Sequence, residues 1–207
     1  LCYLCTIFPI LILQNNIFSC FSNCTHVIYN TSVHPVASDY NVFNFGGGVK
    51  IGTMQNGSSP CSTLLAWRAT SGNDAHSFSR DPLFVDTVAG DYHLQSPAGS
   101  YHGGAWAADA ATSPGIDAGY GDAGTEPAPN ATPLSGASLG MRNLGAYGGT
   151  EQGSKTDAMR SVVLYSPIGG ENFLDQSVSV TCRWSWAGTA WQATDTVSLE
   201  YSADSGA

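Results

Sequence analysis

The sequence predicts an all-β protein that consists of a wound coil of short stacked strands followed by an incomplete β-sandwich. Short apolar segments alternate with Asp, Gly, Pro and Ser from Ser79 to Gly119, and none is long enough for a helix. An Asn followed by two apolar residues occurs at Asn16–Phe18 and again at Asn41–Phe43. Strict apolar alternation from Val178 to Trp186 favours a sandwich strand near the end of the chain.

The two Asn-containing segments define a repeat, because Phe18 and Phe43 are 25 positions apart. A period of this length is typical of one turn of a solenoid. A single turn cannot bury its inward side chains, but stacked turns bury a continuous column of them. An Asn at a corner tolerates a left-handed backbone and can hydrogen-bond its copy in the next turn. We therefore expect Phe18 to stack on Phe43, and we expect Ser79–Gly119 to close the coil with further turns rather than with long hairpins.

One helix is predicted, at about residues 62–72, as an insert that packs on the outside of the coil. Ser62 or Thr63 can cap its start, and Gly72 and Asn73 end it. Its apolar residues are Leu64, Leu65, Trp67 and Ala69. The insert also explains why Phe84, the expected next copy of the repeat, follows Phe43 by 41 positions rather than 25.

The segments from the helix onward form an ordered series. They are LLAWRATSGNDAHS (64–77), DPLFVD (81–86), GDYHLQ (90–95), SPGIDAG (113–119), EPAPN (126–130) and NLGAYGGTE (143–151). This series resembles the closing rungs of right-handed parallel β-helix proteins, the pectin-lyase-like superfamily, in their secreted bacterial multi-domain form. The resemblance covers roughly residues 14–153, and two longer loops, at 96–112 and 129–142, depart from it.

The resemblance implies that residues 1–149 are the last rungs and cap of a right-handed parallel β-helix. It also implies polysaccharide as the ligand class, because the long groove on one sheet of such proteins suits a polymer. In the parent protein, the groove residues would lie mostly upstream of this chain. The parent would be a secreted or cell-surface protein, and, if it is an enzyme, a polysaccharide lyase or glycoside hydrolase.

The pattern changes after a polar linker at residues 150–160. Residues 161–207 are similar to Ig-like, Ser/Thr-rich cell-surface modules that open with Pro-x-Gly-Gly-Glu, which stands here at 167–171. Fewer than half of the strands of a full sandwich are present, so a truncated sandwich is expected. Its apolar alternation places Cys182 on the inner face of a strand and continues at Val197, Leu199 and Tyr201. We also expect the chain to be a fragment at both ends.

Composition and charge exclude some partners. Charged residues make up only 11% of the 207, and there are 24 Gly, which is typical of a turn-rich extracellular β protein. The formal charge of -9, from 7 basic and 16 acidic residues, makes nucleic acid a poor partner, since phosphate binding needs clustered Lys and Arg. A polyanionic glycan would be repelled unless a cation bridged it, whereas neutral glycans remain open. The apolar run at residues 1–13 is too short to cross a membrane as a helix, so no span is expected.

No catalytic centre is predicted in this chain. The Lys, Arg and His residues of the coil region are scattered along the sequence, and no Gly-x-Ser-x-Gly motif occurs. Aspartates recur every five residues at Asp81, Asp86 and Asp91, and paired carboxylates serve as acid and base in glycan hydrolysis. Asp at a turn more commonly caps the turn. Calcium is an alternative for Asp86 and Asp91, and equally for Asp117 and Asp122.

The cysteines leave three alternatives open. Cys2 and Cys5, followed by Cys20 and Cys24, loosely resemble a zinc ligand set. A Cys20–Cys24 disulfide and buried thiols are the other two interpretations. The six cysteines are too few to form a disulfide scaffold for a chain of this length.

Exposed aromatic residues give the best indication of function. Tyr101, Trp106 and Tyr120 lie in Gly-rich, loop-like sequence, and flat rings stack on the faces of sugars. The alternative is that they cap the open end of the apolar column. We therefore expect a non-catalytic C-terminal part of a secreted or cell-surface β-helix protein that binds or processes polysaccharide. The competing hypothesis is a structural or adhesive stalk with no enzymatic activity. The sequence does not predict an oligomeric state.

Overall fold

The computed structural model of the chain describes residues 10–20, 24–29, 36–54, 58–121, 124–127, 142–156, 161–166, 181–187 and 192–198. Within these residues the protein consists mostly of β-strands with one short helix, which confirms the all-β prediction. No helix in this described part is both long and apolar enough to cross a membrane.

The first half of the fold is built from two successive triplets of short strands. The first triplet is β1 (Leu11–Gln14), β2 (Ile17–Cys20) and β3 (His26–Tyr29), and the second is β4 (Val36–Asp39), β5 (Val42–Phe45) and β6 (Lys50–Met54). Each strand pairs in parallel with its counterpart: β1 with β4, β2 with β5, and β3 with β6. The register is offset by 25 residues in the first two pairs and by 24 in the third.

The predicted contacts between the two copies are present. The rings of Phe18 and Phe43 stack with centroids 5.4 Å apart and planes inclined by 21°. The corner residues Asn15 and Tyr40 both have positive φ, 61° and 55°. The Asn16 side-chain amide donates to Oδ1 of Asn41 at 3.0 Å, so the corner Asn bonds its copy 25 residues later. The repeat prediction is therefore confirmed at the level of residue pairs.

The helix α1 (Leu64–Ser71) begins and ends as predicted. The Thr63 side chain accepts a hydrogen bond from the Ala66 N–H at 3.1 Å, and Gly72 ends the helix with φ of 70°. Before it, β7 (Ser58–Cys61) pairs antiparallel with β6. Leu64 and Trp67 belong to the same buried cluster as Phe43 and Ile51, so the helix packs against the strand stack through these two residues. Two apolar residues three positions apart share one helix face, and that face turns inward.

The chain returns to the strand stack after α1, but after an interval five residues shorter than the predicted 41. Phe78, not Phe84, forms a parallel bridge with Val42. The Asp74 N–H also donates to the Ser38 carbonyl at 2.7 Å. The interval from Val42 to Phe78 is 36 residues because the insert consumes fewer residues than expected.

The Ser79–Gly119 stretch does not form further turns of the stack, so this prediction is also wrong. It forms two short antiparallel hairpins, β8 (Phe84–Asp86) with β9 (Asp91–Leu94), and β10 (Ser100–His102) with β11 (Ala105–Ala107). Gly103 and Gly104 join the second pair with φ of 55° and 124°. Two adjacent residues of positive φ reverse the chain at once, and this geometry produces a tight hairpin.

The segment beyond the hairpins packs on the outer face of the strand stack. Val42 and Phe43 are consecutive strand residues, so their side chains point to opposite faces. Phe43 lies in the inner cluster, whereas Val42 contacts a second cluster that contains Phe78, Ala118 and Leu144. The stretch predicted to close the coil therefore covers its side.

Near the end of the chain, β12 (Ser161–Ser166) and β13 (Arg183–Ala187) form an antiparallel pair. Cys182 is half-buried and immediately precedes β13 rather than lying within it. Val197 is 52% exposed and belongs to no strand. The other predicted strand residues, Val178, Val180, Leu199 and Tyr201, lie outside the described residues.

Candidate functional site

The hairpin of β10 and β11 carries two of the three predicted sugar-binding aromatics. Tyr101 and Trp106 face each other across the hairpin as register partners. Their ring centroids are 5.5 Å apart with planes at 71°, an edge-to-face arrangement. Trp106 is 38% exposed, and Tyr101 is half-buried beside it. We call these two residues the aromatic hairpin.

Lys155 supports the aromatic hairpin from a distant part of the chain. Its Nζ lies 4.5 Å from the centroid of the Trp106 ring, within the range of a cation–π interaction. The Lys155 N–H donates to the Gly99 carbonyl at 2.8 Å, and the Ser96 hydroxyl donates to the Lys155 carbonyl. Because the backbone of Lys155 is bonded on both sides, its side chain starts from a fixed position beside the Trp106 ring.

His93 of β9 lies behind the aromatic hairpin. Its ring is 5.6 Å from that of Tyr101 and stacks on Tyr147 at 3.5 Å and 15°. Its Nδ1 is 2.6 Å from Oδ1 of Asp91, and its Nε2 is 3.3 Å from Oε1 of Gln152. With only 6% of its side chain exposed, His93 joins the 142–156 segment to β9 and supports Tyr101.

Asp91 is held in its ionised form by His93. Burial alone would raise the pKa of the Asp91 carboxyl, but the hydrogen bonds from the ring and the backbone N–H of His93 outweigh burial and lower that pKa below its usual value. Asp91 is therefore a carboxylate with a defined structural partner.

The hairpin also brings together Ser100, His102 and Asp109, which the sequence analysis missed. Ser100 Oγ is 2.8 Å from His102 Nε2, and Asp109 Oδ1 is 3.1 Å from that same nitrogen. A catalytic relay needs the carboxylate on the other ring nitrogen, and the Ser100 side chain is fully buried. The cluster thus stabilises the hairpin and is not a hydrolytic triad. Ser100 and His102 share a strand face, and this spacing of two was the available sequence signal.

Tyr120, the third predicted aromatic, belongs to a different cluster. It is 48% exposed and lies 5.4 Å from the ring of Tyr40. Tyr40 in turn stacks on His76 at 4.6 Å with planes inclined by 10°. Among the described residues, Tyr120 contacts Tyr40 and not the aromatic hairpin, so the three predicted residues do not form one surface.

Next to the rings of Tyr40 and His76 lies a shallow cleft of about 260 Å³ that the sequence did not predict. It is lined by residues of β1, β4 and the return after α1, among them Ile12, Gln14, Ala37, Asp39 and Asn73. The ring of His76 donates to Oδ2 of Asp39 at 2.8 Å, and its N–H donates to Oδ1 at 2.7 Å. Burial raises the pKa of Asp39, but these bonds outweigh it and lower that pKa overall.

Of the predicted calcium ligands that the structure describes, Asp86 and Asp91 are register partners across the β8–β9 hairpin, and each is also hydrogen-bonded within the fold. Asp86 accepts from the N–H groups of Val88 and Ala89 and so caps the β8–β9 turn. Asp117 is buried and accepts from the Thr156 hydroxyl at 2.9 Å. Within the described residues, no set of three or more His, Cys, Asp or Glu side chains could hold a metal ion. Asp122 lies outside the described residues, and calcium binding stays a prediction.

Of the three cysteine alternatives, the structure contains the Cys20–Cys24 disulfide. It joins Cys20, the last residue of β2, to Cys24, which lies two residues before β3. Cys61 is buried in the inner apolar cluster, whereas Cys2 and Cys5 lie outside the described residues.

Comparison with known proteins identifies a family for this fold. A family model described as disaggregatase related matches residues 10–119 of the 207, which is more than half of the chain. The match extends over both strand triplets, α1 and both hairpins, including Tyr101 and Trp106. Comparison with curated proteins and with solved structures gives no match. The chain belongs to the disaggregatase-related family.

Proposed function

We propose that this chain is a non-catalytic, polysaccharide-binding part of a secreted or cell-surface protein built on a right-handed parallel β-helix. The aromatic hairpin is the contact site. The observation that carries the proposal is the exposed Trp106 ring, which contacts the ring of Tyr101 and has the Lys155 ammonium 4.5 Å from its centroid.

The β-helix part of the proposal is supported by the strand stack. Three parallel pairs with offsets of 25, 25 and 24 residues are the pattern expected of two consecutive rungs. The Val42–Phe78 bridge adds the start of a third layer at the same position in the repeat. The hydrogen bond between Asn16 and Asn41 joins equivalent positions of the two triplets near the corner, where stacked rungs need a polar link.

The binding part is supported by the rigidity of the hairpin. An aromatic side chain that is already fixed in place loses little conformational entropy when a ligand stacks on it. Trp106 meets this condition because its neighbours Tyr101, Lys155 and His93 are bonded to one another or to the backbone. An indole offers a large apolar face to the C–H groups of a pyranose ring.

Two further observations agree with this function. The family description refers to a disaggregatase, and a part that retains a protein on polysaccharide is compatible with an activity that separates aggregates. The Cys20–Cys24 disulfide favours an oxidising compartment, which supports a secreted or surface location. We also propose that β12 and β13 begin an Ig-like module, which would serve as a spacer.

Affinity electrophoresis of the intact chain through gels that contain soluble polysaccharides tests the proposal. Wild-type protein is expected to be retarded by at least one polymer, and Trp106→Ala should weaken this binding about tenfold or more, because one stacking ring supplies much of the contact. Val88→Ala is the matched control, since Val88 is 97% exposed at the tip of the other hairpin. Equal retardation of wild type and Trp106→Ala would contradict the assignment of the site.

The second candidate function is a structural stalk. It is favoured by the buried polar network around Asn41 and Asp74, which joins the layers of the stack and makes it rigid. Absence of retardation in every polysaccharide gel, with a folded chain, would favour the stalk over the binding module.

A further inference from the structure

We propose that Lys155 makes the aromatic hairpin selective for sugars that carry an acidic group, either a carboxylate or a sulfate ester. The inference rests on the proposed function of the hairpin and names the class of sugar that it takes. Overall charge does not suggest this preference, because the chain carries a formal charge of -9. The argument depends on the local surroundings of one cation.

Lys155 is a cation without a carboxylate partner among the described residues. The ion pairs in the described part of the chain are three His–Asp contacts, and none involves Lys155. Among the described carboxylates near the hairpin or near Lys155 in the chain, Asp91 and Asp109 are bonded to His93 and His102. Glu126, which lies against Gly153, accepts from the N–H groups of Asn143 and Gly149. The Lys155 ammonium is therefore held against an aromatic ring rather than against an acid, and it retains donors for an anionic group.

The other described cations near the core are used within the fold. The Lys50 ammonium donates to the Ser62 hydroxyl at 3.2 Å. Arg68 donates to the backbone carbonyls of Asp74 and Ser77 and so holds the return of the chain after α1. Lys155 differs because the group it contacts, Trp106, is itself a candidate ligand-binding surface.

The geometry combines the two elements that an acidic sugar requires. A pyranose ring can stack its C–H face on the exposed part of the indole, and an acidic substituent on that ring would then lie beside the ammonium 4.5 Å from the indole centroid. Because the rest of the protein is acidic, long-range attraction does not concentrate polyanions here. Selectivity should therefore disappear when this single charge is removed.

The test measures binding of the intact chain by isothermal titration calorimetry. Three ligands are used: a hexuronate oligosaccharide, the same oligosaccharide after carboxyl reduction, and a sulfated derivative of the reduced form. Wild type should bind at least one acidic form about tenfold more tightly than the neutral form, the amount expected of one charge-assisted bond. About 0.5 M salt should reduce that preference.

Two substitutions separate charge from packing. Lys155→Met keeps an unbranched apolar stem on Trp106 and should lower affinity for the acidic ligand about tenfold while leaving the neutral one unchanged. Lys155→Arg keeps the charge and should retain the preference. The two acidic ligands distinguish the sources, since preference for only one of them identifies carboxylate or sulfate as the recognised group.

The outcomes that overturn the inference are separate from failure of the proposed function. Equal affinity for acidic and reduced ligands, with binding still dependent on Trp106, would overturn the role of Lys155 and leave the binding site in place. If Lys155→Met lost affinity equally for the acidic and the neutral ligand, Lys155 would only support the Trp106 ring. No binding of any of the three ligands, nor of any polysaccharide in the gels, would remove both proposals.

Discussion

Asn41 is the buried polar residue that joins the layers of the strand stack, and its replacement by alanine tests the stack quantitatively. The side chain is fully buried. Its Oδ1 accepts from the N–H and the side-chain amide of Asn16, at 2.9 and 3.0 Å. Its Nδ2 donates to the Leu13 carbonyl at 3.0 Å, and also to Ser38 Oγ and Asp74 Oδ1 at 3.1 and 3.2 Å.

The expected loss follows from the partners that Asn41→Ala leaves behind. The Asn16 N–H and the Leu13 carbonyl lose hydrogen bonds to the Asn41 side chain, and a buried polar group that loses its partner costs about 1–3 kcal/mol. We expect a decrease of about 3 kcal/mol in the free energy of unfolding. For a protein of this size that corresponds to a fall of roughly 6–12 °C in Tm.

Urea denaturation, followed by circular dichroism and by tryptophan fluorescence, to which the buried Trp67 contributes, measures this loss. Asn16→Ala is the matched control, because Asn16 is the half-buried copy of Asn41 in the first triplet. It should cost about 1 kcal/mol or less, since Asn41 Oδ1 still accepts from the Asn16 N–H and the other partner, the Gln14 carbonyl, is exposed. If the two variants lose the same free energy of unfolding, the inter-layer role of Asn41 is refuted.

Two further predictions concern packing and pH. A Cβ on Gly52 would lie 2.5 Å from the Trp67 ring, so Gly52→Ala should lower the free energy of unfolding, measured by urea denaturation, by about 1–3 kcal/mol. Gly47 has open space around it, so Gly47→Ala should be close to neutral. Equal losses in the two variants would contradict the packing of Trp67 on Gly52. The lowered pKa values of Asp39 and Asp91 add stability that is fully present above the unfolded pKa of about 3.9 and is lost as the pH falls through the folded values. The urea concentration at the unfolding midpoint should therefore fall as the pH is lowered below about 4. The double variant Asp39→Asn, Asp91→Asn should show a smaller fall, and the same acid profile as wild type in that variant would refute the assignment.

The sequence was sufficient to predict the features that depend on local pattern. The 25-residue interval between Phe18 and Phe43 predicted the parallel register, because identical corners place successive strands in line. The recurrence of Asn at equivalent positions 25 residues apart predicted the bond from Asn16 to Asn41, although the left-handed corner residues are their neighbours Asn15 and Tyr40. The limits of α1 were also predictable, since Thr63 and Gly72 have the capping chemistry that ends require.

The arrangement beyond the helix depends on contacts that a single sequence does not display. Strand direction after Ser79 was mispredicted because short apolar segments fit either a rung or a hairpin. The positive φ values at Gly103 and Gly104 decide in favour of a hairpin. The third layer was assigned to Phe84 instead of Phe78, since the length that the insert consumes is set by its packing on the stack.

The candidate site was predicted in part. Tyr101 and Trp106 were selected as exposed aromatics, and the hairpin register then brings them together. Tyr120 was selected by the same criterion, but Gly119 and Tyr120 instead follow the outer face of the stack to Tyr40. Lys155 was placed in a linker, and its position over Trp106 arises only when its backbone bonds to Gly99.

A crystal structure of the chain in complex with the polysaccharide fragment that binds most tightly is the most direct test of the central claim, that the aromatic hairpin is a sugar-binding site. We expect a pyranose ring stacked on the indole of Trp106, with its nearest polar substituents beside the Lys155 ammonium. A sugar bound instead against Tyr120, or in the cleft beside Gln14 and Asp39, would contradict the claim.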